Sequence, residues 1–186
     1  MPLALVILGR QGSGKGTQAA LLAEHYGVVH VSTGDMLRAA VTAGTELGLR
    51  AKAAMDAGNL VSDDIMIGIV DERLAADDIS TRGVLLDGFP RTTAQADALA
   101  EILGGSGPDL AINLDVPIAE ATERMLGRGR DDDNEEAISR RLELYEAETA
   151  PLLDWFEARG RLTVVDGLGT EDEVFARLSA AVGALP

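Results

Sequence analysis

The chain has 186 residues, 46% hydrophobic and 25% charged, which is ordinary globular composition with length enough for a sizeable core in one domain. Its 31 acidic residues against 16 basic ones give a formal net charge of −15, and no basic stripe exists to neutralise the phosphates of nucleic acid. No apolar run approaches the ~18 residues of a membrane span, no basic leader precedes a cleavage site, and zero cysteines exclude disulfides and thiolate zinc sites. The expectation is a cytoplasmic protein, monomeric by default, with no nucleic acid and no membrane among its partners.

The first apolar run, Leu3–Leu8, reads as a buried strand and leads straight into Gly9-Arg10-Gln11-Gly12-Ser13-Gly14-Lys15-Gly16-Thr17. Glycines at this spacing let successive backbone N–H groups point into one concavity, with no Cβ in the way and no penalty for positive φ. A helix expected over Lys15–Tyr26 adds its positive dipole end to the same spot. The loop therefore reads as a phosphate cradle of Gly12, Ser13, Gly14, Lys15, Gly16 and Thr17, with Lys15 reaching the β and γ phosphates and Thr17 offering a hydroxyl to Mg²⁺. The strict signature wants Ser or Thr directly after the lysine, and Gly16 intervenes here. A plain strand-to-helix turn is the alternative. Against it, Lys15 and Lys52 are the only lysines among the 16 basic residues, so a slim ammonium within the loop is a distinctive choice.

Further along, strands are expected at Val28–Val31, Gly83–Asp87, Leu110–Asp115 and Leu162–Val165. Helices are expected at Met36–Val41, Glu46–Met55, Asp63–Ala75, Thr93–Leu103, Ile118–Leu126, Glu135–Glu148 and Glu171–Ala181. This alternation predicts an α/β fold, a five-stranded parallel sheet flanked by helices. Three consecutive helical patterns between the second and third strands exceed what one crossover requires and predict a small subdomain beside the sheet. Ligands of such folds sit at the carboxyl ends of the strands. Polar or glycine-rich segments follow three of them: Ser32–Arg38, Asp87–Arg91 and Asp166–Thr170. Asp87, closing the run Val84–Leu86, stands where an acidic group would hold Mg²⁺ directly or through water, although a turn or cap role is the plainer use of such an Asp. Arg38 and Arg91 are candidates for a second phosphate. Arg128 and Arg130 suit a closing flap, and Asp131–Glu136 reads as a cap for the helix that follows. His25 and His30 read as structural, Asp35 as a first-turn helix charge, and Trp155 and Phe156 as packing under the last strand.

Together these segments resemble the adenylate kinase family. The resemblance is carried in order by GRQGSGKGTQ (9–18), STGDMLR (32–38), GNLV (58–61), DGFPRTTAQ (87–95), GRGR with DDDNEE (127–136), RRLELY (140–145) and VDGLGTEDEVF (165–175). It implies a P-loop kinase fold and reversible phosphoryl transfer from Mg·ATP to AMP, giving two ADP. It assigns Arg128 and Gly169, with the phosphate loop, to the ATP side. Thr33 and Gln95 fall to adenine, Asn59, Leu60 and Val61 to its pocket, and Gly88, Phe89 and Pro90 to the substrate wall. Arg38, Arg91, Arg130 and Arg141 fall to the AMP phosphate or the transferring group, with Lys15, Arg91, Arg128, Arg130 and Arg141 as catalytic. It further implies an AMP-binding subdomain at about 32–61, a short lid at about 128–134, and a core of 1–31, 62–127 and 135–186. Gln11 departs from the proline common at that position in the family. A pyrimidine (UMP/CMP) monophosphate kinase of the same architecture is the nearest rival, against which Thr33, Thr92 and Gln95 favour AMP. A regulatory nucleotide switch is the rival from another class, and no Asn-Lys-x-Asp guanine motif appears.

Overall fold

The computed structural model describes residues 2–57, 59–128 and 134–185, apart from the side chains of Leu47 and Arg128. Five strands form one parallel sheet: β1 (Ala4–Leu8), β2 (Val29–Ser32), β3 (Val84–Asp87), β4 (Leu110–Asp115) and β5 (Leu162–Asp166), in the order β2-β3-β1-β4-β5. The expected α/β class and strand set are present, each boundary within a residue.

The helices are α1 (Lys15–Tyr26), α2 (Thr33–Thr42), α3 (Glu46–Asp56), α4 (Asp63–Leu74), α5 (Asp77–Arg82), α6 (Thr93–Ile102), α7 (Ile118–Arg128), α8 (Glu135–Leu144), α9 (Pro151–Glu157) and α10 (Glu171–Gly183). Side chains alternate across the pleat, so each central strand divides between two cores. Val6, Val84, Leu86 and Ala111 face one side, with Met66 and Val70 of α4, Ala96 and Leu99 of α6, and Leu152 and Phe156 of α9. Leu5, Ile7, Leu85 and Ile112 face the other, with Ala19 and Leu22 of α1 and Val174 and Leu178 of α10. Both faces of β1 are therefore covered, and all five of its residues are buried.

Three expectations need correction. The expected helix Glu135–Glu148 stops at Leu144 and continues as a π-helical turn over Tyr145–Thr149. Helices α5 and α9 were not expected; the first has only six residues, too few for a periodic signal, and the second starts at Pro151. Of the three helices expected beside the sheet, α2 packs on α3, whereas α4 packs on α6 and contributes to the sheet's own core.

The register brings the functional ends together. Ile7 and Ser32 both pair with Asp87, and Leu8 pairs with Asn113, so the loops after β1, β2 and β3 leave the sheet at one level.

Candidate active site

The loop from Gly9 to Gly14 is tight because its glycines are indispensable. Gly12 has φ +83°, and a Cβ there would lie 2.1 Å from the carbonyl oxygen of Ala121 in α7. Gly9, at φ +137°, would bring a Cβ within 2.5 Å of the Leu114 carbonyl oxygen. The loop is thus seated directly on the β4–α7 segment, and no other residue fits either position. Ser13 N–H donates to the Arg10 carbonyl at 3.1 Å, and Lys15 Nζ donates to the same carbonyl at 2.8 Å. Arg124 reaches across from α7, donating to the Ser13 carbonyl at 3.4 Å while paired to Glu120 at 2.7 Å.

Asp87 lies beside this loop, since a Cβ on Gly16 would stand 3.6 Å from its Oδ2. His30 Nε2 approaches the same oxygen at 3.7 Å, an ion-pair distance longer than a hydrogen bond. Burial works against the ionised carboxyl of Asp87. The contact with His30 and the nearby charges of Lys15 and Arg91 outweigh that cost and hold it below the usual carboxylate range.

After Asp87 the chain turns through Gly88 (φ +84°) and a cis Phe89–Pro90 bond to Arg91. Arg91 Nε donates to the Gly88 carbonyl at 2.9 Å, and its backbone N–H donates to Gln95 Oε1 at 2.8 Å. Burial lowers the pKa of this guanidinium; Asp87 opposes that, while Arg141 and Arg38 add to the depression. Arginine stays protonated all the same, so three like charges share one wall.

The remaining wall comes from four elements. Arg38 on α2 pairs with Asp35, itself capped by Ser32 Oγ. Arg141 on α8 donates to the Met55 carbonyl at 3.3 Å, and Arg140 Nε donates to Asn59 Oδ1 at 3.0 Å. The π-helical turn places Tyr145 and Thr149 here too, Thr149 Oγ1 donating to the Arg91 carbonyl at 3.0 Å. Tyr145 donates to Asn113 Oδ1 at 3.3 Å, and burial pushes its hydroxyl up to about 12. Arg38, Asn59, Arg91, Arg141, Tyr145 and Thr149 surround, with the phosphate loop and Asp87, one cavity of about 710 Å³.

This cavity joins a phosphate loop to a cluster of arginines, and the sequence comparisons agree with that pairing. A family model described as adenylate kinase matches residues 7–161. The chain is 50% identical over 184 residues to an adenylate kinase of Stenotrophomonas maltophilia (strain R551-3), covering 96% of this chain and 98% of that one. An adenylate kinase of Xanthomonas euvesicatoria pv. vesicatoria (strain 85-10) is 49% identical over 185 residues, with the same two coverages. The chain belongs to the adenylate kinase family. Nothing in these matches supports the pyrimidine-kinase alternative.

Against the residues expected from that family, Gly12, Gly14, Lys15, Gly16, Thr17, Thr33, Arg38, Asn59, Leu60, Val61, Asp87, Gly88, Pro90, Arg91, Gln95 and Arg141 all line the cavity. Three expected residues do not. Ser13 is buried beneath the loop with its Oγ unpartnered among the described residues, and the Phe89 ring is fully buried in the core. Gly169 sits before α10, where a Cβ would meet Glu173 Oε2 of the Thr170–Glu173 capping box at 2.6 Å. Arg130, the Arg128 side chain and lid residues 129–133 lie outside the described residues, as does Gly58 of the GNLV segment.

His30, read from the sequence as structural, lines the cavity beside Asp87. Arg124 and Thr149 line it as well, without a local motif to announce them, and so does Tyr145, the last residue of the RRLELY segment. Trp155 and Phe156 pack as expected, the indole N–H donating to Asp97 at 2.9 Å.

Proposed function

We infer that the chain catalyses reversible transfer of a phosphoryl group from Mg·ATP to AMP, giving two ADP. One observation carries the reading: a glycine-built phosphate cradle and three converging arginines line the same cavity. Converging like charges are costly without an anion, and two phosphate chains brought end to end supply it.

The acceptor is already an anion at the attacking oxygen, so no general base is required. Backbone N–H groups of Gly12 to Thr17 hold the ATP phosphates, and the Lys15 ammonium leaves the Arg10 carbonyl for the β and γ oxygens. Arg38, Arg91 and Arg141 bind the AMP phosphate or the group in flight, holding two mutually repelling reactants in line. Thr33, Gln95 and the wall at Asn59–Val61 take adenine. We assign residues 32–61 to a mobile AMP-binding subdomain and 128–134, with Arg128 and Arg130, to a short lid whose closure excludes water.

The residues present fit Mg²⁺. Asp87 is held ionised beside the loop, Thr17 lies at the cavity wall, and among the described residues no cluster of three or more acidic or histidine ligands forms a cage. That is the donor set of a cation carried in by the phosphates and held by one carboxylate and a hydroxyl, directly or through water. When bound, the ion would neutralise negative charge on the phosphates during transfer.

A cytoplasmic monomer completes the proposal; no helix among the described residues is long and apolar enough to cross a membrane. The test is ADP formation by the purified chain with Mg·ATP and, separately, AMP, CMP, UMP or GMP. Fast turnover with AMP alone is expected. Turnover with CMP or UMP in its place overturns the base assignment, and none with any acceptor in folded protein overturns the reaction.

A further inference from the structure

Asp63 is the second residue after the pocket wall at Val61 and the first residue of α4. An acid in the first turn of a helix needs no partner, because the dipole alone accounts for it. This one has two, both from another element. Its Oδ1 accepts from Gln95 Nε2 at 2.6 Å, and its Oδ2 accepts from Thr92 Oγ1 at 3.0 Å. Gln95 is buried, and its Oε1 accepts from the backbone N–H of Arg91 at 2.8 Å.

These partners leave the Gln95 amide one orientation. A backbone N–H can only donate and a carboxylate can only accept, so the amide oxygen must face Arg91 and the NH₂ must face Asp63. The second N–H of that group is then the donor Gln95 has left for a ligand, beside the remaining lone pair of Oε1. An amide free to turn would exchange oxygen and nitrogen; this amide keeps its N–H at one fixed place.

We propose that Asp63 is a positioning residue for base recognition, fixing Gln95 as a hydrogen-bond donor so that the site selects a base with a ring-nitrogen acceptor at that point. This rests on the reading of Gln95 as an adenine contact. The same carboxylate ties the wall at Asn59–Val61 to α6, so the two sides of the base pocket keep their spacing through Asp63. A site whose polar groups are fixed in advance discriminates by leaving them unpaired against the wrong base.

The test compares Asp63→Ala, Asp63→Asn and Gln95→Leu with the parent chain. Steady-state KM for AMP is measured alongside inhibition by ribose 5-phosphate, which carries the phosphate and sugar but no base. Asp63→Ala should raise KM for AMP about tenfold, and the isosteric Asp63→Asn, which keeps one oxygen acceptor, about threefold. Inhibition by ribose 5-phosphate and KM for ATP should stay at parent values in both. Unchanged KM for AMP in folded Asp63→Ala overturns the proposal, as does equal weakening of ribose 5-phosphate, the mark of a purely structural role. If the alanine variant does not fold, Asp63→Asn decides by the same two readings. Gln95→Leu separates the assumptions: a raised KM for AMP there, with none in the Asp63 variants, sinks only the role of Asp63. No effect in Gln95→Leu sinks the adenine contact and this proposal with it.

Discussion

At the scale of single residues, two groups carry sharp expectations. Lys15 is held over the loop by the Arg10 carbonyl at 2.8 Å, a contact that, on the proposed reading, an incoming phosphate would replace with a stronger one. Lys15→Ala should therefore lower kcat by roughly 10²–10³-fold, the usual effect of deleting one preorganised electrostatic donor, with the melting temperature little changed. Turnover near the parent rate in folded Lys15→Ala would remove it from the mechanism. Tyr145 gives a pH expectation. Its hydroxyl ionises at about 12 in the folded chain, against an ordinary 10.0, because burial penalises the phenolate. Through that window the unfolded chain has lost the proton and the folded chain has not, so stability falls as pH rises. The contribution is complete below pH 10 and gone above about 12. Urea midpoints between pH 9 and 11 should fall more steeply for the parent than for Tyr145→Phe. Tyr26 is present in both chains and cancels. Parallel slopes would show that Tyr145 titrates alike in both states.

Elements explain both what the sequence discloses and what it conceals. The three central strands were legible because parallel strands covered on two faces must be continuous apolar runs, and Leu3–Leu8 or Leu110–Leu114 have no other use. The phosphate loop was legible for a different reason: its glycines are demanded by backbone contact with Leu114 and Ala121, so the requirement is written at the site itself. Asp63, Arg124 and Tyr145 had no such local cause. Asp63 meets Gln95 across 32 positions and Arg124 meets Ser13 across 111, partnerships that exist only after the helices pack. His30 reads as one more strand residue until β2 pairs with β3, His30 opposite Leu85, and its Nε2 comes within 3.7 Å of Asp87 Oδ2. The π-helical turn was hidden because residues 145–149 are as helix-compatible as those before them, and it takes Thr149 bonding to the Arg91 carbonyl to reveal why the pitch changes. The closest helix pair in the site wall offers a test at this scale. A Cβ on Gly48 of α3 would lie 2.1 Å from the Ala40 carbonyl oxygen of α2. Gly48→Ala must push the two helices apart, at a cost of about 1–3 kcal/mol. Because Arg38 lies on α2 and Met55, whose carbonyl holds Arg141, lies on α3, KM for AMP should rise while KM for ATP stays put. Equal changes in both constants would mean that α2 and α3 do not serve the AMP side alone.

Over the whole molecule, charge is distributed against its own mean. The chain carries −15, yet among the described residues Lys15, Arg38, Arg91, Arg124 and Arg141 line one cavity whose acidic lining is Asp35 and Asp87. The outer surface is correspondingly more acidic than the net figure suggests. Such a surface repels itself in the folded state, while the cavity attracts polyanions against the field of everything around it. Salt must then act in opposite directions on the two. At about 0.05 M the Debye length exceeds the ~10 Å of 0.1 M solution, and by about 1 M it has shrunk to ~3 Å, which removes most repulsion between exposed carboxylates. Raising ionic strength over that range should therefore raise the melting temperature. On the proposed roles of Arg38, Arg91 and Arg141, the same change screens AMP from three guanidiniums already repelling one another, so KM for AMP should climb as stability rises. A neutral co-solute such as sucrose stabilises by exclusion and leaves the Coulomb field alone, so it should raise the melting temperature without moving KM. Divergence between salt and sucrose would identify surface repulsion as the cost of the acidic exterior and the arginine cluster as the source of nucleotide affinity. A KM for AMP indifferent to salt would place that affinity in the base and ribose contacts, and make Arg38, Arg91 and Arg141 organisers of the transferring phosphate alone.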